Sequence, residues 1–560
     1  VDVEIVVELD KKLQFIDLCR GICHAGHVPY EDFVYSSKYL EGAMLTYLRR
    51  KNLVATNKPA DRREKMAEMK EDGAEKFLGA YVKDPIVGKY DWVYDLDLTS
   101  LYPSIIMSLN ISPETKIGKI ENWDPQQFQK ADDTTEYSIN GDSIQKENLK
   151  KFLDEQDVSV SSNGVLYRQD IVGCIPDVLS IWFDKRVEYN NLKKKYGKSG
   201  DKAKYAFYHK RQLVQKILLN SLYGVLGLPA FRFYDLDNAV AVTSTGQTVI
   251  KSTADMVNIK YNKELNTKNV DHNIYIDTDS VFFSAVPLMN VRYPNWNTQP
   301  QETIAQHVDT IAGEVQDYLN QFYDILSKRL FNIDKHRLQI KKEYVIKAGL
   351  WVKKKRYAQW IIADNGIPCD MLDVKGLDVK RSSFPYEFQV MMKQVLVDIL
   401  KGEKEDDITD KLNEFKLNIA DLEIQNIAKN SAVKDIQKYT EKNRSAILQF
   451  KKGTPAHVKA ALAYNDLLTH FKSAYKYQPM KGGDKIKWVY LKTNPLGIDG
   501  LGFTGYSDPK EITDFIEMYI DRDRIFEAEL HHKLQAFYDA VGWGNILSQK
   551  KKASQFFNFG

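Results

Sequence analysis

Cysteine is scarce, with four residues in 560. That count excludes a disulfide framework and fits a reducing compartment. The one stretch that gathers cysteine and histidine, "CRGICHAGH" from Cys19 to His27, matches none of the common zinc-ligand spacings, and no second Cys/His pair follows it. It reads as an amphipathic helix carrying small residues. No apolar run approaches the roughly 20 residues of a membrane span, and no signal-peptide pattern is present. An excess of one charge is also missing. Lys and Arg total 79 against 76 for Asp and Glu, a formal net charge of +3, which neither requires nor excludes a nucleic-acid partner. Basic residues instead form local clusters at Lys193–Tyr196 ("KKKY"), Lys353–Tyr357 ("KKKRY") and Lys550–Lys552. Each cluster alone reads as a solvated face. No internal repeat is visible.

Hydrophobic residues make up 43% of the chain, and 560 residues exceed what one core organises, so several domains or subdomains are expected. Apolar positions at three- and four-residue spacing ("EIVVELDKKLQFIDLC") predict helix over residues 1–50. Residues 51–76 are polar and charged, like a linker, and residues 79–98 read as β-rich. Residues 120–165, with "NGD" and "SNG" turns, read as a strand-and-loop insertion. Two helical patterns follow, Val178 to Tyr196 and Lys202 to Gly224, joined by the turn "GKSGDK". "HNIYIDTDSVFFSAV" reads as two short strands around an acidic turn. Helix is expected over 300–330, strand over 340–380, and mainly helix over 386–475.

Three stretches carry the chemistry. In "VYDLDLTSLYPSII" (Val93 to Ile106) an apolar strand holds Asp95 and Asp97 and then turns into a helix, with Thr99 and Ser100 able to cap and Pro103 suited to the first turn. The backbone N–H groups of Ser100, Leu101 and Tyr102 are then free to cradle phosphate oxygens. A carboxylate beside a phosphate cradle calls for a divalent cation between them, and oxygen ligands with phosphate suit magnesium. Alone, the stretch also reads as a capped surface turn. "YIDTDS" places Asp277 and Asp279 at a hairpin tip between apolar runs. Alone it is a polar β-turn. If its strands neighbour the one ending at Asp97, the carboxylates can hold two cations about 4 Å apart, the geometry that stabilises attacking and leaving oxygens in phosphoryl transfer. In "QKILLNSLYGVLG", Lys216, Asn220 and Tyr223 share one helix face, offering a cation, an amide and a ring, with Gly224 keeping the adjacent surface low. Alone, this too is an ordinary amphipathic helix.

Together the three stretches resemble the family B DNA polymerases. "DLTSLYPSII" resembles motif A, "KILLNSLYG" motif B and "DTDS" motif C, in the family's order, and "KKRY" at Lys354–Tyr357 follows as that family's primer-binding motif does. "NISPET" (Asn110 to Thr115) after motif A points more narrowly to the replicative polymerases of T-even-like bacteriophages. The resemblance runs strongly from about residue 79 to 387, is weaker through "KKGTPAHVKAALAYN", and returns at the C-terminal tail. It implies an α+β fold of right-hand architecture: an antiparallel-sheet palm (79–174 and 229–387), helical fingers (175–228) and a mainly helical thumb (388–549). Residues 1–78 would be the end of an exonuclease domain with its linker, and 550–560 a clamp-binding tail.

Carried over residue by residue, Asp97 and Asp279 match the metal-binding, catalytic aspartates, the carbonyl of Leu98 a further ligand, and Asp277 the neighbouring acidic position. Ser100, Leu101 and Tyr102 match the triphosphate cradle, and Tyr102 also the ring that excludes a ribose 2′-hydroxyl. Lys216, Asn220 and Arg186 match groups at the triphosphate, with Arg186 at the γ-phosphate. Tyr223 and Gly224 match the surface under the nascent base pair, and Glu343 an acidic residue near the metals. Gly79, Lys354, Lys355, Arg356, Tyr357, Lys375 and Gly376 match primer or template contacts. The tail "KKKASQFFNFG" resembles a peptide that docks on a ring-shaped sliding clamp, with Phe556, Phe557 and Phe559 as its anchors. Three departures stand out: Ile276 replaces the usual glycine before the acidic turn, Asn190 stands where the family has lysine (Lys193 or Lys194 being candidate substitutes), and the segment joining the two fingers helices is shorter than in the T-even enzymes.

The resemblance thus implies a DNA-directed DNA polymerase that uses two Mg2+ ions, dNTPs and primer–template DNA, has a sliding clamp but no membrane as partner, and works in the cytoplasm of an infected bacterial host. Only about 80 residues precede the palm-like region, and Asp2 in "VDVE" fits the last acidic residue of a proofreading domain. No 3′–5′ exonuclease activity of its own is therefore expected. Either the sequence is a fragment or a separate exonuclease chain supplies the rest. Two other classes remain at this stage: a DNA-holding subunit without chemistry, disfavoured by intact Asp97, Asp279, Lys216 and Asn220, and another two-metal nucleotidyl transferase such as a reverse transcriptase or RNA polymerase, disfavoured by the motif order.

Overall fold

Helix, as the apolar spacing predicts, dominates the first 50 residues of the computed structural model, which describes residues 2–58, 60–61, 64–65, 67, 79–440 and 448–544. The chain divides into two units, Val1–Lys83 with Tyr94–Glu343, and Asp84–Val93 with Tyr344–Gly560.

The first unit opens with α1 (Asp2–Leu13), α2 (Phe15–Gly26) and α3 (Ser36–Arg50). Helices α2 and α3 cross with backbones nearly touching. A Cβ on Gly42 would stand 2.2 Å from the carbonyl oxygen of Gly26, and one on Gly26 2.6 Å from the Cβ of Tyr39. The small residues of the cysteine–histidine stretch therefore serve helix packing. Cys23 is buried, and among the described residues no group of three or more His, Cys, Asp or Glu is arranged to hold a metal. Leu40, Met44 and Leu48, at four-residue spacing, turn the inner face of α3 into core.

Strand β1 (Gly88–Leu98) enters this unit with its second half. Every residue from Trp92 to Leu96 is buried, including Asp95 at 2% exposure. Continuous burial rather than alternation marks a strand covered on both faces. It leads into α4 (Leu101–Leu109), whose Ile105, Ile106 and Leu109 are core. Residues 116–168 form β2 (Lys116–Lys119), α5 (Pro125–Lys130), β3 (Glu136–Ile139), β4 (Asp142–Gln145), α6 (Lys146–Glu155), β5 (Val158–Val160) and β6 (Val165–Arg168). The strands pair in the order β2-β6-β5, with β3-β4 as a separate hairpin. The expected strand-and-loop insertion thus also contains two helices around a small core of Phe128, Leu149 and Leu153. One of them had a readable start, since Asp124 caps α5 by accepting from the amides of Gln126 (2.8 Å) and Gln127 (3.1 Å), with Pro125 at the first helical position.

Two 25-residue helices follow, α7 (Cys174–Lys198) and α8 (Lys202–Leu226). They form a hairpin whose turn uses Gly200 at φ +74° and the Asp201 carboxylate, which accepts from the Lys204 amide at 3.0 Å. After α9 (Leu236–Glu264), β7 (Asn273–Asp277) and β8 (Ser280–Ser284) form the expected antiparallel hairpin, with β8 beside the end of β1. Helices α10 (Val286–Arg292) and α11 (Gln301–Phe331) complete the unit.

The second unit contains most of β9 (Ile340–Lys353), with β10 (Arg356–Asp364) and β11 (Ile367–Lys375) in an antiparallel meander. Its β10–β11 turn is Asn365–Gly366, with φ of 49° and 77°, the pair that two-residue hairpins favour. Helices α12 (Tyr386–Lys401), α13 (Glu405–Asn418), α14 (Ala456–His470), α15 (Lys510–Tyr519) and α16 (His532–Val541) pack with a sheet of β12 (Lys429–Ala432), β13 (Lys485–Tyr490) and β14 (Gly500–Phe503) over one extended core. Among the described residues no helix is long and apolar enough to cross a membrane. The architecture is mixed helix and antiparallel sheet.

The close crossing of α2 and α3 gives a stability prediction. Gly42→Ala pushes a methyl group into a carbonyl oxygen that cannot move without the helix, and should cost about 1–3 kcal/mol, read as a lower denaturant midpoint. An unchanged midpoint would contradict the crossing.

Candidate active site

The end of β1 and the tip of the β7–β8 hairpin are locked together through backbone. The Leu98 N–H donates to the Asp279 carbonyl at 2.9 Å, and the Asp279 N–H to the Asp277 carbonyl at 2.8 Å. Thr278, at the tip, has φ +67°, an unusual conformation for a β-branched residue. Its N–H donates to the Tyr81 carbonyl at 3.1 Å, so the segment ahead of β1 holds the tip from outside. Val82 forms a bridge with Asp277. Ile276, where the resembling family has glycine, is buried and hydrogen-bonds through its carbonyl to the Lys83 amide at 3.2 Å, and the Asp277–Ser280 pairing is kept.

This lock brings Asp97 and Asp279 together. The Ser280 hydroxyl donates to Asp97 Oδ2 at 2.8 Å. Burial, then the nearby Asp279 carboxylate, push the Asp97 carboxyl up to about 7. Glu343 adds to the rise, while Ser280 and Lys216 oppose it. A buried carboxyl crowded by like charges is one that a cation would relieve. Magnesium needs only one or two protein carboxylates when substrate phosphates supply other ligands, so the chemistry of the pair fits that ion.

The turn after β1 forms as expected, but Ser100 does not cap with its side chain. It sits at φ 50°, ψ 53°, outside the extended conformation that aims an N-cap oxygen at the helix amides. Its hydroxyl instead accepts from Arg186 Nη1 at 3.0 Å. The Ser100, Leu101 and Tyr102 amides, at the start of α4, lie where a helix supplies no acceptor. Burial pulls the pKa of Arg186 down, and its Nε is buried without a hydrogen-bond partner. A desolvated guanidinium with an orphaned donor beside free amides is suited to an anion.

Tyr102 packs its ring 4.4 Å from that of Tyr223, at 45°. A Cβ on Gly246 would stand 3.0 Å from Tyr102 Cε1, so a side chain at this point of α9 would press on the ring. Burial raises the pKa of both tyrosine hydroxyls. On α8, Lys216, Asn220 and Gly224 form an exposed stripe, with open space over Gly224. Lys193, half-buried on α7, helps lower the pKa of His209, after burial, while Lys194 is exposed. Gly79 accepts from Gln247 Nε2 at 2.6 Å.

In the second unit, Lys354 and Lys355 make the β9–β10 turn, with Lys355 at φ +60°. Lys354 pairs with Asp84 at 3.1 Å and Arg356 with Asp378 at 3.3 Å. Gly376 has φ +61°, and a Cβ there would stand 1.9 Å from the Lys355 carbonyl oxygen. It is the residue that lets the chain close under this basic turn, and Lys375 beside it pairs with Asp373 at 3.1 Å. Tyr357 is 4% exposed and stacks on Trp351, so its ring supports the turn from the core. Phe556, Phe557 and Phe559 lie outside the described residues.

Two residues that complete the site were not singled out from the sequence. Ser280 was readable, as the residue after the acidic turn. Gly246 lies in a long helix far along the chain, and no local pattern marks it.

Residues 34–539 match the family model described as DNA polymerase family B, and the chain belongs to that family. Within it, the chain is similar to the DNA-directed DNA polymerase of Enterobacteria phage T4, with 26% identity over 626 aligned residues that cover 100% of this chain. Its similarity to the DNA-directed DNA polymerase of Escherichia phage RB69 is 25% over 609 residues, covering 99% of the chain. The DNA polymerase of Thermococcus gorgonarius is 26% identical over 385 residues, 68% of this chain and 39% of that protein. The chain spans 64% of the length of each phage protein.

The Asp97 environment predicts a pH effect in EDTA. The folded chain keeps a proton on this carboxyl up to about pH 7, whereas the unfolded chain releases it near 3.8. Stability therefore falls as pH rises from about 4 through 7. Asp97→Asn should raise the metal-free melting temperature more at pH 8 than at pH 5. An equal shift at both would contradict the burial and crowding of this group.

Proposed function

We propose that this chain is a DNA-directed DNA polymerase that extends a primer 3′-hydroxyl with dNTPs. The observation that carries the reading is the raised Asp97 carboxyl, paired with Asp279, together with the half-buried, anion-seeking Arg186 hydrogen-bonded to a turn of free amides. In this reading residues 79–174 and 229–387 are the palm, 175–228 the fingers and 388–549 the thumb. The primer oxygen attacks the α-phosphorus of the nucleotide, its proton passes to solvent, and pyrophosphate leaves.

Asp97, Asp279 and the Leu98 carbonyl would hold two magnesium ions, which when bound lower the pKa of the primer hydroxyl and offset charge on the phosphate. The chain's own groups do the rest. The amides of Ser100, Leu101 and Tyr102 donate to the triphosphate oxygens, and Arg186 and Lys216 neutralise the pyrophosphate. Asp277, held through its backbone, positions the turn. Tyr102, packed against Tyr223 and close to Gly246, lies under the sugar and leaves no room for a 2′-hydroxyl. Asn220 lies near the triphosphate, Tyr223 and Gly224 form the surface under the nascent base pair, and pairing geometry selects the base. Gly79 and the basic turns at Lys354–Arg356 and Lys375–Gly376 contact primer or template backbone. The aromatic tail docks on a sliding clamp, and the reaction serves phage DNA replication in the cytoplasm of an infected bacterium.

Asp97→Asn and Asp279→Asn should each slow extension about a thousandfold or more while leaving primer–template affinity nearly unchanged. Near-normal extension in magnesium by either variant would overturn the assignment. Tyr102→Ala should raise the ratio of ribonucleotide to deoxyribonucleotide insertion by about tenfold or more. An unchanged ratio in single-nucleotide kinetics would remove the ring from sugar selection.

A further inference from the structure

Helix α8 has a second functional-looking face. At about 100° per residue, Phe207, Lys210 and Val214 project roughly 120–180° away from Lys216. On that far side lies a cavity of about 1160 Å³ enclosed by α2, α3, α7 and α8. Val214 meets α2 at its floor, where a Cβ on Gly21 would stand 2.9 Å from Val214 Cγ2.

The lining is cationic and aromatic. Arg20, Arg50, Lys185 and Arg211 face it, and among the described residues that line it Asp17 is the only carboxylate. Asp17 is already engaged by Lys210 at 2.8 Å. Among the described residues, Arg20, Arg50, Lys185 and Arg211 have no carboxylate within ion-pair distance. Tyr189 and the half-exposed Phe207 supply rings, and the Arg211 guanidinium lies over the Phe207 ring at 4.5 Å. None of these groups takes part in the proposed reaction. A packing role does not explain them either, because like charges facing one another across an open cavity repel.

Unneutralised cations that could follow a phosphate backbone, interleaved with rings on which bases stack, are the two elements of sequence-tolerant single-strand binding. A free nucleotide would use one phosphate cluster and one ring. Here cations come from four helices and the rings from two. We propose that this cavity binds unpaired single-stranded DNA, at a site separate from the Asp97–Asp279 centre. The strand would run between the N-terminal helices and the α7–α8 hairpin, with its phosphates on Arg20, Arg50, Lys185 and Arg211 and its bases against Tyr189 and Phe207.

The test follows fluorescence anisotropy of a labelled 12-nucleotide oligothymidine on the full chain, without magnesium, at several salt concentrations. It is run with and without saturating primer–template that has a one-nucleotide overhang. Wild-type protein should keep an oligothymidine site when primer–template is bound. Arg20→Glu/Arg50→Glu should weaken that site at least tenfold, and loss of two phosphate contacts should flatten the salt slope by about 1.4. Both residues are exposed, and the milder Arg20→Ala/Arg50→Ala pair should show the same direction if charge reversal harms folding. Extension on the short-overhang primer–template should stay within twofold. Complete displacement of oligothymidine by primer–template would overturn the proposal, as would unchanged affinity in both double variants. Displacement by ATP or by polyglutamate of equal charge, as effective as by unlabelled oligothymidine, would also overturn it, in favour of a free nucleotide or a nonspecific polyanion patch. The arm without primer–template reads the cavity even if the polymerase reading fails.

Discussion

Two carboxylates that repel each other are held side by side by a backbone lock, and most of the candidate site depends on that constraint. The hydrogen bond from Leu98 to the Asp279 carbonyl fixes the end of β1 against the hairpin tip, and Tyr81 holds the tip in the left-handed conformation of Thr278. Those bonds keep the Asp279 carboxylate beside Asp97. With them, the Asp97 carboxyl is lifted to about 7. The strain of the tip and the repulsion of the pair are local costs, tolerated because the strands behind them are core: Val93 to Leu96 on one side and Ile274 to Ile276 and Val281 to Phe283 on the other.

The second constraint is how the long helical hairpin meets the turn after β1. Arg186 reaches Ser100 from α7, while Tyr223 reaches Tyr102 from α8. Gly246 on α9 also lies against the Tyr102 ring. Three helices therefore converge on two residues, Ser100 and Tyr102, of one turn. The same convergence leaves α8 with two opposed surfaces, one toward the turn and one toward the N-terminal helices, which explains how a single helix can carry two kinds of chemistry.

Much was legible in the chain itself, for a reason that differs between elements. The α7–α8 hairpin and the β7–β8 hairpin announced themselves because periodicity and turn chemistry are local properties: Gly200 and Asp201 stop one helix and start the next, and "DTD" interrupts two apolar runs. The acidic strand end of β1 was visible because carboxylates in an apolar strand need a reason. The ordered motifs led to the family, and residues 34–539 match it. The helices within 116–168 were missed although Asp124–Pro125 marks the start of one, because the surrounding polarity masked their short apolar faces.

What only the tertiary structure decided is which distant residues share a space. Ser100 looked like a cap and became a ligand for Arg186, because its left-handed backbone does not aim the hydroxyl at the helix amides. Tyr357 looked like part of a basic contact motif and became core, because Trp351 lies against it across β9 and β10. Gly246 gave no local sign, since its meaning is the ring of Tyr102 pressed on it from another element. The sequence by itself determined the elements and the residue types that carry charge, because propensity and pattern are short-range. The packing of those elements decided which charges meet, and thereby the pKa of Asp97 and the desolvation of Arg186, because desolvation and Coulomb interactions depend on distance in space and not on separation along the chain.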